Sequence, residues 1–173
     1  KVSVIQGNIP QNLKWDPQAV NFILDNYFKL TFASAKDSPE LIIWPEASVP
    51  GILGEDELVF KQVFALTRTL DTNLLVGTVS HLRGSYFNSA LFIERSGKAG
   101  KIYNKLHLVP FGEYVPLKKI FPFLQSFAAI GDIAPGAEFT IFTKPSNFGV
   151  LICFEDLFPE LSREFIRKGA KFL

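Results

Sequence analysis

The chain has 173 residues, of which 47% are hydrophobic, and its formal net charge is +1. This length and apolar content fit a single domain with a sizeable core. The balanced charge excludes the basic surface typical of a nucleic-acid-binding protein. With one cysteine and two histidines, the chain cannot form an internal disulfide and has too few ligands for the usual Cys/His zinc site. We therefore expect no metal and no cofactor.

Hydrophobic periodicity predicts that strands alternate with helices along the chain. In chain order, the predicted elements are strand 1–6, helix 17–35, strand 41–44, helix 59–70, strands 73–80 and 86–94, strands 139–142 and 149–153, and helix 158–168. The Asp-Pro pair at 16–17 is typical of a helix start, and Gly169 of a helix end. A turn at 81–85 joins the two central strands and leaves His81 solvated. This alternation predicts an α/β fold.

Three chemically competent side chains follow predicted strands. Cys153 ends the apolar run 149–152 and precedes a helix start, where the positive helix end favours a thiolate. Glu46 ends the run 41–44, and Lys105 lies just beyond a short strand. Taken singly, a lone cysteine is more often a buried structural residue, and Glu46 and Lys105 fit ordinary surface charges.

In the order Glu46, Lys105, Cys153, these residues resemble the catalytic triad of the carbon–nitrogen hydrolase, or nitrilase, superfamily. Residues 107–116 (HLVPFGEYVP) are more specific and resemble the apolipoprotein N-acyltransferase family within it. The segments that agree with the same family are 44–46 (WPE), 86–90 (YFNSA) and 153–155 (CFE). The resemblance implies a nitrilase-like αββα sandwich, of which this chain supplies part.

The resemblance also implies how the whole protein is organised. The chain contains no methionine and Lys1 begins a strand, so we expect a segment of a longer protein. Residues 1–173 are then the N-terminal two thirds of a single carbon–nitrogen hydrolase-type domain. Membrane-spanning helices are expected before this domain and the remainder of the domain after it. The implied location is the periplasmic face of the bacterial inner membrane.

The implied reaction moves a fatty acyl group from a phospholipid donor to the α-amino group of a diacylglyceryl-modified apolipoprotein acceptor. In that mechanism Cys153 carries the acyl group as a thioester, Glu46 is the general base, and Lys105 stabilises the oxyanion. The supporting positions that the resemblance indicates are Glu113, Glu155, Phe154, Asn88 and Trp15.

Each supporting position has a structural alternative. Glu113 fits a salt-bridge partner, Glu155 a charge that complements a helix N-terminus, Asn88 a backbone-bonding residue, and Trp15 a hydrophobic contact of the first helix. Much of the family has tyrosine where this chain has Phe154, which indicates that the ring matters more than its hydroxyl. By its position His107 fits a structural or supporting residue better than a base.

Residues 117–127 (LKKIFPFLQSF) combine two lysines with Phe121, Phe123 and Phe127. This composition predicts a lipid-facing loop at a membrane surface, although the rings also fit an ordinary core. The loop favours acyl transfer from lipid over a soluble amidase or nitrilase that hydrolyses a small amide or nitrile with the same triad. A non-catalytic binding domain is disfavoured because all three triad residues are present.

Overall fold

The computed structural model describes residues 1–110, 112–113 and 133–173. Phe121, Phe123 and Phe127 of the predicted lipid-facing loop lie outside the described residues. The strands are β1 (Val2–Val4), β2 (Leu41–Ile43), β3 (Ile52–Leu53), β4 (Asn73–Leu82), β5 (Ser85–Ile93) and β6 (Ala99–Asn104). The helices are α1 (Val20–Ala35), α2 (Glu57–Leu70) and α3 (Pro159–Arg167), with short 3-10 helices at Gln11–Leu13, Pro17–Ala19 and Cys153–Leu157.

The six strands form one mixed sheet in the order β1-β2-β4-β5-β6, with β3 paired to the far end of β4. Strands β1, β2 and β3 run parallel to β4. Strand β5 is antiparallel to β4, and β6 is antiparallel to β5, so β6 again runs in the direction of β4. The register aligns Val4 with Ile43 and Ile43 with Leu75. The carboxyl end of β2 therefore opens beside the middle of β4.

Apolar side chains alternate between the two faces of this sheet, as the period of a β-strand requires. On one face, Ile42, Leu74 and Val76 pack under α1 and α2 in a cluster that includes Leu24 and Val63. On the other face the second cluster forms, and its members are Leu41, Leu75, Ala90, Phe92, Tyr103, Phe142, Phe148, Ile152, Phe165 and Ala170. The mixed α/β architecture confirms the predicted fold class.

The central hairpin turns more tightly than the sequence indicated. Arg83 and Gly84 both have positive φ, 51° and 78°, which is the backbone of a two-residue hairpin turn. As a result β4 continues through Leu82, and the prediction that His81 lies solvated in a turn was wrong. The Nδ1 atom of His81 lies 2.8 Å from Glu55 Oε1, and its ring stacks on Tyr86.

The predicted strands at 139–142 and 149–153 are not strands of the sheet. Phe142 and Phe148 form one isolated bridge, and Gly149 N–H donates to Phe172 O. Most residues of these two segments are buried or partly buried, as their apolar composition indicated. Within the described residues, however, no neighbouring strand forms a ladder with them. Ile152 remains extended, at φ −104° and ψ 115°, so Cys153 still follows an extended segment.

No helix within the described residues combines the length and the apolar content needed to cross a bilayer.

Candidate active site

Glu46, Lys105 and Cys153 border one cavity of about 280 Å³. They come from three separate connections: Glu46 follows β2, Lys105 follows β6, and Cys153 begins a 3-10 helix. The other described residues that line the cavity are Gln11, Lys14, Trp15, Ala47, Val79, Asn88, Val109, Gly112, Glu113 and Ile133. The fold thus brings together three side chains that are far apart in sequence.

Glu46 is held by the close approach of its backbone to β4. A Cβ atom on Gly77 would lie 2.3 Å from Pro45 O and 2.6 Å from Glu46 Cα. Only glycine fits beneath this segment without displacing it. Beyond Glu46 the chain turns through Ala47 at φ 48°, and Ser48 N–H donates to Gly77 O at 2.9 Å. The strand β4 therefore fixes where the Glu46 backbone lies.

Lys105 is almost completely buried, with 1% of its side chain exposed. Its backbone N–H donates to Asn88 O on β5 at 2.8 Å, and its carbonyl accepts from Gly136 N–H at 2.7 Å. The Nζ atom lies 2.8 Å from Glu113 Oε2 and 3.8 Å from Glu46 Oε1. A buried ammonium requires such partners, so the two carboxylates hold the Lys105 side chain in place.

Asn88 links the two carboxylates that flank Lys105. Its Nδ2 atom donates to Glu46 Oε1 and to Glu113 Oε1, both at 2.7 Å. Partial burial acts to raise the pKa of Glu113. Hydrogen bonds from Asn88, Lys105 and Val109 N–H, with the charge of Lys105, outweigh burial and lower that pKa below its ordinary value. Glu113 therefore stays ionised, and Asn88 contacts the site through its side chain.

Cys153 lies at a backbone turn, with φ 52°, at the first residue of the 3-10 helix. Loss of solvent and the negative charge of Glu46 raise the pKa of its thiol, and Lys105 and the Phe154 N–H offset this only in part. These surroundings favour the thiol over the thiolate in the resting site, in contrast to the effect expected from a following helix. The helix after Cys153 is a short 3-10 turn, and α3 begins only at Pro159, so little helix dipole reaches the sulfur.

The raised pKa predicts the pH dependence of Cys153 alkylation. Since only the thiolate reacts with iodoacetamide, the rate should reach half its maximum above the ordinary thiol value of about pH 8.5. Glu46→Gln removes the negative charge and should move this midpoint to lower pH, whereas Lys105→Met should move it higher. Mass spectrometry of the Cys153 peptide across a pH series measures the alkylation rate. A midpoint for Glu46→Gln that is unchanged or higher would contradict the effect of Glu46 on the thiol pKa.

Glu155 is fully buried and does not line the cavity. Its carboxylate accepts from the Tyr103 hydroxyl and from the N–H groups of Leu106, His107 and Ile152, at 2.7–3.1 Å. Leu106 follows Lys105 and Ile152 precedes Cys153. Glu155 therefore links the segment that follows Lys105 to the segment that precedes Cys153 through hydrogen bonds. Its role extends beyond complementing a helix N-terminus.

The remaining predicted positions lie at the edge of the site. Trp15 borders the cavity and is 39% exposed. The Phe154 ring packs edge-on against Phe158, which also contacts the His107 ring. Gln11 and Lys14 also line the cavity and were missed from the sequence, although both lie within four residues of Trp15, a position the family resemblance had already indicated.

Comparison with known proteins shows the family of this chain. The family described as carbon-nitrogen hydrolase matches residues 1–173. An apolipoprotein N-acyltransferase of Geobacter metallireducens is 38% identical over 100% of this chain and 34% of its own length. The enzyme of that name from Haemophilus ducreyi is 33% identical over 100% of this chain and 36% of its own. The chain thus spans about a third of the length of these curated relatives.

Solved structures share the fold at lower identity. A carbon-nitrogen hydrolase from Helicobacter pylori G27 aligns with a TM-score of 0.72 and 20% identity, covering 98% of this chain and 56% of its own. An amidase mutant from Nesterenkonia sp. AN1, with acrylamide added to its active-site cysteine, aligns with a TM-score of 0.71 and 15% identity over 98% of this chain and 63% of its own. These likenesses show a nitrilase-type fold.

Proposed function

The chain belongs to the carbon–nitrogen hydrolase family, and we propose that it carries the catalytic site of an apolipoprotein N-acyltransferase. The observation that carries this proposal is the convergence of Glu46, Lys105 and Cys153 on one cavity. The chain also aligns along its full length with enzymes of that name. The proposed donor is a phospholipid, the proposed acceptor is a diacylglyceryl-modified apolipoprotein, and the proposed location is the outer face of the bacterial inner membrane.

In the first half-reaction Cys153 attacks an ester carbonyl of the phospholipid. Because loss of solvent and the charge of Glu46 raise the pKa of the thiol, attack requires a base, and Glu46 takes the proton as the carbon–sulfur bond forms. Lys105 and the Phe154 N–H stabilise the oxyanion of the tetrahedral intermediate. When the intermediate collapses, the ester carbon–oxygen bond breaks and Glu46 returns its proton to the departing lysophospholipid alkoxide. A thioester on Cys153 remains.

In the second half-reaction the neutral α-amino group of the acceptor attacks the thioester. Glu46 removes a proton from the attacking nitrogen, and the same cation stabilises the second oxyanion. The carbon–sulfur bond then breaks, the sulfur recovers the proton from Glu46, and an amide is released. Glu113, with its lowered pKa, keeps Lys105 paired throughout, so Glu46 is the carboxylate left to exchange protons.

The proposal predicts a stable acyl-enzyme in the absence of acceptor. Incubating the intact protein with phospholipid should add the mass of one acyl group, hydroxylamine should remove it, and Cys153→Ala should not gain it. Intact-mass spectrometry measures all three outcomes. If the wild-type mass stays unchanged with several phospholipids and the protein releases ammonia from small amides, the proposed acyl transfer is wrong and the protein is an amide hydrolase.

A further inference from the structure

The catalytic cavity contains a second cation for which the mechanism has no role. Lys14 lines the same cavity as Glu46 and Cys153. It follows the 3-10 helix Gln11–Leu13, and Leu13 anchors that helix by packing against the core between the sheet and α1. The Leu13 N–H donates to Pro10 O at 3.0 Å, and Asp16 N–H donates to Leu13 O at 3.1 Å. The loop therefore holds Lys14 beside the reacting groups.

Lys14 differs from Lys105 in its electrostatic surroundings. Lys105 is paired with Glu113 at 2.8 Å, whereas within the described part of the chain no carboxylate lies at ion-pair distance from Lys14. Asp16, its near neighbour in sequence, instead accepts from the Gln18 N–H. Lys14 also borders an apolar crevice beside the cavity, against which a lysine stem can pack while its ammonium stays polar. Its charge is therefore available to a ligand.

Resting on the function proposed above, we propose that Lys14 binds the phosphate group of the phospholipid donor. A phosphodiester is an anion at neutral pH, and lysine is a common point-charge partner of phosphate in proteins. Only the glycerol unit separates the phosphate from the fatty ester. A donor whose ester carbonyl reaches Cys153 therefore holds its phosphate near the same cavity. The reacting amine of the acceptor offers no such anion, so Lys14 acts on the donor half-reaction.

Comparing a charged with a neutral acyl donor tests this assignment. The intact protein would be acylated either by dipalmitoyl phosphatidylglycerol or by the p-nitrophenyl ester of palmitic acid, which lacks phosphate. Lys14→Met should lower kcat/KM for the phospholipid by about tenfold or more, the effect of losing one charge-assisted hydrogen bond, mainly through KM. The nitrophenyl ester should react almost as before. Lys14→Arg should retain most of the phospholipid rate.

Lys29 provides the matched control, since it is an exposed lysine on α1 and Lys29→Met should leave both donors unaffected. Thermal midpoints of all variants check that they fold alike. Equal losses with both donors, or no loss with either, would overturn the role of Lys14 while leaving the proposed function intact. If the wild-type protein accepts the nitrophenyl ester but never the phospholipid, both the role of Lys14 and the proposed function would be overturned.

Discussion

Replacing Lys105 by methionine should reduce the rate of acyl-enzyme formation from phospholipid by at least about a hundredfold, the typical loss for an oxyanion-stabilising group. The Lys105 side chain is 1% exposed, so water cannot easily take over its role at the oxyanion. Intact-mass kinetics of the single-turnover acylation measure the effect. Lys98→Met is the matched control, because Lys98 is exposed in the turn before β6 and its loss should leave the rate unchanged.

Lys105 also neutralises Glu113, so the single variant mixes catalysis with stability. Removing one partner of a buried pair leaves the other charge uncompensated. The double variant Lys105→Met/Glu113→Gln removes both charges and should recover much of the lost thermal stability without recovering the acylation rate. A double variant that regains acylation, or a single variant that acylates at near the wild-type rate, would show that Lys105 is structural.

The sequence predicted the elements that have local signals. The Asp-Pro pair at 16–17 was predicted to begin a helix, and a 3-10 helix does begin at Pro17, with Asp16 accepting from the Gln18 N–H, before α1 begins at Val20. Alternating and helical periodicity likewise predicted β2, β4, β5 and all three helices. The strands expected around 139–142 and 149–153 failed because composition reports burial, whereas a strand also needs a neighbour to pair with, which no local pattern reveals.

For the site, the resemblance to a family predicted which residues take part, whereas only the structure shows the contacts between them. Nothing local in the sequence indicates that Asn88 donates to both Glu46 and Glu113, or that Gly77 lies under the backbone of Glu46. Both relations depend on the register of β4 against β5 and on its parallel pairing with β2. The same holds for the thiol of Cys153, whose pKa is raised by loss of solvent and by Glu46 and is lowered in part by Lys105.

Replacing Glu155 by glutamine should lower the free energy of unfolding by about 1–3 kcal/mol or more, since each buried N–H left unpaired costs about 1–3 kcal/mol. The two side chains have nearly the same shape, so no cavity forms. One carboxylate oxygen accepts from Leu106 N–H and His107 N–H, and the other accepts from Ile152 N–H. An amide offers one acceptor oxygen, and its NH₂ group must face at least one of these donors. Chemical denaturation measures the loss.

Two variants separate this arrangement from a general effect of charge. Glu138→Gln changes an exposed carboxylate and should leave the unfolding free energy within about 0.5 kcal/mol of wild type. Tyr103→Phe removes one of the donors to Glu155 and should cost about 1 kcal/mol. Because Glu155 joins the segments of Lys105 and Cys153, the folded fraction of Glu155→Gln should also acylate slowly and alkylate Cys153 with a changed pH midpoint. A Glu155→Gln protein as stable and as active as Glu138→Gln would mean that these segments are held together without the carboxylate.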